Sequence, residues 1–139
     1  MTPEQSIRGA LSEACEHVGH WPYLHDAGVF IGYRPSGDRL RWAANAPIVT
    51  DTAYDIVVYH RLGYAEAAEQ MRFDVYAALR AAGWTMENEP GPETYVANME
   101  LFAWALTARK RFAIVDGQPM TFDEAREAIR DAGTLQPEG

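Results

Sequence analysis

Between Ala53 and Gly83 the chain changes its period once, and that change narrows the folds open to it. Residues 53–61 (AYDIVVYHR) gather β-branched and aromatic side chains around Ile56-Val57-Val58-Tyr59, the pattern of a strand. After Gly63 the apolar residues Ala68, Met71, Val75 and Leu79 recur at three- and four-residue intervals over 64–82, which places them on one stripe of a helix. Gly83 is the residue type that most readily takes the left-handed conformation closing a helix, and 84–87 reads as strand again. Helix and sheet therefore belong to one chain, and each has an apolar side to cover.

The flanks extend this pattern. Thr2-Pro3-Glu4-Gln5 is a capping box with proline at the first helical position, and Ile7, Ala10, Leu11, Ala14 and Val18 continue it toward Gly19. A helix is expected over 3–18, then a connector over 20–26. Residues 27–34 (AGVFIGYR) read as a strand ending in a Pro35-Ser36-Gly37-Asp38 turn, with 39–44 (RLRWAA) returning as its hairpin partner until Asn45-Ala46-Pro47. A turn at Glu89-Pro90-Gly91-Pro92 precedes an ambiguous run over 94–112. Val96, Met99, Ala103, Leu106 and Lys110 fit a helical stripe; Tyr95, Ala97, Met99, Leu101 and Ala103 fit one strand face. The density of Tyr, Val, Phe, Trp and Thr favours the strand. Residues 112–120 form a short hairpin through Asp116-Gly117. Thr121-Phe122-Asp123-Glu124 is a second capping box, opening a helix with Phe122, Ala125 and Ile129 inward and Gly133 as its stop. Residues 134–139 are expected to be a flexible tail.

A chain of 139 residues is one domain's worth, spanning 1–135 by this reading. Its single cysteine, Cys15, leaves no internal disulfide and no cysteine-rich zinc cluster, and mid-helix it reads as a small buried thiol. No apolar run approaches membrane-spanning length, and the amphipathic start is not the apolar stretch of a signal peptide. The net charge of −8 opposes simple duplex binding, where phosphate contacts supply most non-specific affinity.

Few residues carry chemistry. His17, His20 and His25, with Asp26, are the right types for an open zinc site, but they straddle a helix end and lack the glutamate of an HExxH arrangement. Their alternative is a polar helix terminus. Ser12 and Ser36 lie in no nucleophile elbow, and Gly28-x-x-x-Gly32 has no phosphate-loop lysine. Glu87, Glu89 and Glu93 read as a solvated loop rather than an acid–base pair. Arg109-Lys110-Arg111 is the one dense basic run, and Arg34, Arg39, Arg41 and Arg61 flank the strands. Such residues either contact DNA or an acidic face of a partner, or blunt sheet edges. Trp42 and Trp21 sit beside breaks, where tryptophan plugs a core or anchors an interface. No catalytic, cofactor or metal residue is assigned; Arg39, Arg41, Trp42, Arg109, Lys110 and Arg111 are the candidate interface.

Over about residues 20–112 the order of elements resembles the tail terminator (tail completion, neck) proteins of long-tailed bacteriophages. The resemblance rests on Val29-Phe30-Ile31-Gly32-Tyr33, an irregular crossing, Tyr54-Asp55-Ile56-Val57-Val58-Tyr59, a helix opened by Tyr64-Ala65-Glu66-Ala67 and closed by Gly83-Trp84, and Glu93-Thr94-Tyr95-Val96 leading into a long apolar strand. It implies an α+β fold: a mixed, mainly antiparallel sheet with helices packed on one side; the short C-terminal helix read above belongs to 113–133, which looks like an addition to the family's core. It also implies a non-enzymatic virion protein without cofactor or membrane. Copies assemble into a homo-oligomeric ring, typically of six, that stops growth of the tail tube and meets the head connector or head-completion protein. DNA passes through the lumen unbound. Within this setting another neck or head-completion protein is the alternative; outside it, a metal-dependent enzyme using His17, His20 and His25.

Overall fold

The Thr2 hydroxyl accepts from the Gln5 N–H while the Gln5 side chain accepts from the Thr2 N–H, so the reciprocal cap written in the sequence opens α1 (Pro3–Ala14). The computed structural model describes residues 1–43, 46–87 and 92–135. α1 stops short of residue 18. Cys15 is already extended, its N–H closing the last turn on the Leu11 carbonyl, and Val18–His20 forms β1, parallel to Ile31–Tyr33. Val18 satisfies helical spacing, but backbone pairing claims it for the sheet. Gly19 is required for a different reason than helix termination: the Tyr23 ring lies where its Cβ would be, at 2.3 Å.

β2 (Val29–Ala43) and β3 (Ala46–His60) are antiparallel partners over nearly their whole length. Pro35–Asp38 is no turn. The strand runs through it with a register shift between Pro35 and Gly37, so 39–43 continues β2 instead of returning. Proline is tolerated because β1 covers β2 only at residues 31–33, leaving this stretch an edge among the described residues. The reversal follows Ala43; Asn45 lies outside the described residues, as do Glu89-Pro90-Gly91 and the tail from 136.

α2 (Ala65–Ala81) follows β3 as its stripe requires, burying Ala68, Val75 and Leu79. Gly83 closes it at φ +85°, with the Gly83 and Trp84 N–H groups donating to the Arg80 and Leu79 carbonyls. The ambiguous run resolves into β5 (Thr94–Val96), a turn over 97–100 with Glu100 at φ +53°, and β6 (Leu101–Val115). β3 occupies one edge of β6; β5, β4 (Thr85–Met86) and β7 (Gln118–Met120) share the other. β6 runs unbroken across 112–113, and Asp116-Gly117, both at positive φ, turns it into β7.

The result is a seven-stranded mixed sheet, antiparallel except at β1–β2, with three helices: an α+β fold. Ile7 and Leu11 of α1 and Val75 and Leu79 of α2 cover one sheet face, meeting the cross-strand rows Ile31–Val58–Trp104 and Tyr33–Ile56–Leu106. α3 (Phe122–Leu135) opens on the expected Thr121–Glu124 box, but it runs through Gly133, and only Ala125 of the expected inward stripe is buried. Phe122 and Ile129 are exposed: α3 meets the sheet through β6, and of the three only Ala125 is covered there. Among the described residues no helix is long and apolar enough to cross a membrane.

Candidate functional site

Among the described residues the opposite sheet face carries no helix. Its lower end is closed by Phe30, Tyr59 and Leu101, with Tyr23 packed on them. Above this lies the row Gly32–Val57–Ala105, whose small side chains leave a trough of about 390 Å³ walled by Trp21 on one side and by Arg34, Asp55 and Thr107 above. Arg34 stacks over Trp21 at 4.8 Å and pairs with Asp55 at 3.5 Å, while Thr107 donates to Asp55 at 2.9 Å. A second hollow of about 570 Å³ continues the trough downward past Trp21, Val57 and Ala105 to the exposed Leu24 and Met99.

Higher on the same face the register aligns Arg39–Asp51–Arg111 and Gly37–Ala53–Arg109, with Arg41 opposite Val49. Arg39, Arg41, Arg109 and Arg111, distant in sequence, therefore share one face with Arg34. Five arginines meet three carboxylates there, Asp51, Asp55 and Glu87, on a chain of net charge −8. Lys110 does not join them. It faces the helices, donates to the Ala82 carbonyl at 2.6 Å and lies over the Phe112 ring; burial lowers its pKa. Arg109 is held by Glu87 at 2.8 Å and lies 3.6 Å from Asp51, and its hydrogen bond to Glu87 raises its pKa. Among the described residues no ion pair holds Arg39, Arg41 or Arg111.

β3 meets β6 only from Val49 onward, so the β2–β3 hairpin projects past the sheet as an arm. Trp42 and Ile48 are exposed on it, Trp42 by 61%, and Leu40 is exposed at its base, opposite Thr50.

The histidines do not converge. His17 stacks on His25 at 4.1 Å, His20 sits edge-on to Tyr33 at 5.6 Å, and the His25 Nδ1 accepts from the Ala27 N–H. Among the described residues no three His, Cys, Asp or Glu side chains are placed to hold a metal. Since α1 ends at Ala14, none of the three is at a helix terminus either. Cys15 is buried, and burial pushes its thiol pKa up. The solvated-loop reading of the glutamates fails for two of them. Pairing of β4 and β5 with β6 brings Glu87 to Arg109, and Glu93 to both the His60 Nε2 and Arg72, the latter at 2.7 Å. Glu89 lies outside the described residues. Arg61 is likewise spent internally, donating to the His25 and Ala27 carbonyls.

Spacing alone could not reveal the cluster of His60, Glu93 and Arg72, since three separate elements supply it. The strand alternation of 39 and 41, and of 109 and 111, was the available sign that four arginines share a face. No protein-family model matches the chain, and no curated protein matches it in sequence.

Proposed function

We propose that the chain is a structural virion protein, a tail terminator that assembles into a ring, caps the tail tube and joins the tail to the head connector. The observation that supports this reading best is the projecting arm. It holds Trp42 and Ile48 away from the core and into solvent, with the exposed Leu40 at its base, as anchors for a partner surface. The acidic net charge also suits a lumen that passes DNA without holding it. The partners on this reading are further copies of the chain, the tail tube protein and a head-completion protein.

The test is solution mass by light scattering, with negative-stain imaging of the same fraction, followed by addition of the protein to polymerising tail tubes. Six copies of 15.5 kDa, about 93 kDa, with a central hole and arrested tubes are the expected result. Tubes that lengthen normally beside a folded protein would remove the tail-terminator reading.

A further inference from the structure

The two faces of the sheet are unlike in charge and in shape. The helix-free face combines the arginine band with the Gly32–Val57–Ala105 trough. The helical layer on the other side is acidic, with Glu4, Glu13 and Glu16 along or just past α1 and Glu66, Glu69 and Asp74 on α2. α2 buries Ala68, Val75 and Leu79, and helical spacing puts Glu66, Glu69 and Phe73 on its opposite, outward ridge. Phe73 is 62% exposed there, a large aromatic group standing between carboxylates. Among the described residues no ion pair holds Glu66 or Glu69.

Ridge and trough are complementary. One offers an aromatic knob flanked by free carboxylates. The other offers an apolar floor, a tryptophan wall and arginines, of which Arg39, Arg41 and Arg111 have no carboxylate partner among the described residues. We infer that the occupant of the trough is a second copy of this chain, docked by its α2 ridge with Phe73 over Val57 and Ala105 and with Glu66 and Glu69 toward the arginine band. The two patches lie on opposite sides of the sheet and share no residue. The contact is therefore head-to-tail, and its repetition gives a closed ring or an open filament but no two-fold dimer. Charge complementarity of this kind sets orientation and suppresses the front-to-front and back-to-back alternatives. The inference rests on the ring reading above only for closure.

Disulfide trapping tests it. Phe73→Cys and Ala105→Cys are exposed positions on opposite faces, and the native Cys15 thiol is buried. Under mild oxidation each variant alone should remain a monomer on a non-reducing gel, while an equimolar mixture yields a linked dimer. The double variant should give a ladder. A ladder ending at a closed species supports both the interface and the ring. A ladder without end supports the interface and overturns the ring. No trapped dimer, in a sample that light scattering finds assembled, overturns the interface and leaves the ring standing; Phe73→Cys linking to itself does the same. A parent chain, with Phe73 and Ala105 in place, that stays a monomer at all concentrations overturns the interface. Independently, Glu66→Lys with Glu69→Lys, both at exposed helix positions, should weaken association roughly tenfold while leaving the circular-dichroism spectrum unchanged. Unaltered association in that variant removes the proposed charge contact.

Discussion

His60 of β3 and Glu93 just ahead of β5 are hydrogen-bonded through the His60 Nε2, although 33 residues separate them. The His60 Nδ1 faces the Arg61 carbonyl, the ring stacks on Phe102 at 4.8 Å, and the same Glu93 oxygen accepts from Arg72 of α2. One carboxylate thereby ties a central strand, an outer strand and a helix. Glu93→Gln removes the charge and one of the two acceptors, and is expected to cost about 1–3 kcal/mol in urea unfolding. A loss within about 0.5 kcal/mol, as for an ordinary surface site, would show that the tie contributes nothing.

Trp84 anchors the end of α2 to α1. Its Nε1–H donates to the Ser6 Oγ at 3.1 Å, and both residues are buried. Ser6→Ala leaves an indole N–H without an acceptor and should cost about 1–3 kcal/mol. Adding Trp84→Phe to that variant should cost less than Trp84→Phe does in the parent, because the orphaned donor goes with it. Additive losses in the double-mutant cycle would contradict the coupling.

Tyr33 makes folding sensitive to alkali. Its side chain is fully buried and its hydroxyl donates to Glu4 at 2.6 Å; burial first, then that hydrogen bond, push its pKa from 10 up to about 12. A raised folded-state pKa means the stabilisation is whole below the unfolded value and is lost as pH rises through the folded one. Stability should therefore fall between about pH 10 and 12 by on the order of 2 kcal/mol. Tyr33→Phe should flatten that segment of the stability–pH curve. An equally steep decline in the variant would place the titration elsewhere.

Neighbouring arginines on β6 should behave differently. Arg109→Ala breaks the Glu87 bond and leaves the Asp51 carboxylate, whose Oδ1 is buried, without its nearest cation. A loss of about 1–3 kcal/mol is expected on unfolding. Arg111→Ala, exposed and held by no ion pair among the described residues, should stay within about 0.5 kcal/mol. Comparable losses at both positions would dissolve the distinction between a brace and a free surface charge.

Local signals carried much of this architecture. Both capping boxes, the α2 stripe with its Gly83 closure and the Asp116-Gly117 turn act within a few residues, and each is where its residues place it. Errors arose where a distant strand decided the outcome. Pro35-Ser36-Gly37-Asp38 has every residue of a turn, but pairing with β3 on one side holds it extended. Val18 extends a helical stripe, yet β2 takes it as a parallel partner. At the candidate site the residue types were legible but their grouping was not. Arg39 and Arg111 are neighbours of Asp51 only because β3 lies between β2 and β6, and Lys110 leaves the run because alternate strand residues face opposite ways.

β6 has a further consequence for how the molecule comes into being. Its first contact with β3 closes the stretch from His60 to Phe102, and among the described residues β5, β4 and β7 pair with β6 alone. The β2–β3 hairpin, α1 and α2 rely on near neighbours and can form early, in the microsecond range typical of local structure. The centre of the sheet must wait for β6, late in the order of elements, so refolding should run on the slower scale of non-local topologies. On a ribosome the same order leaves the β3 edge, Val49 to His60, uncovered until β6 emerges. The open edge is an invitation to wrong pairing, and the charges at Asp51 and Asp55 are the guards posted along it.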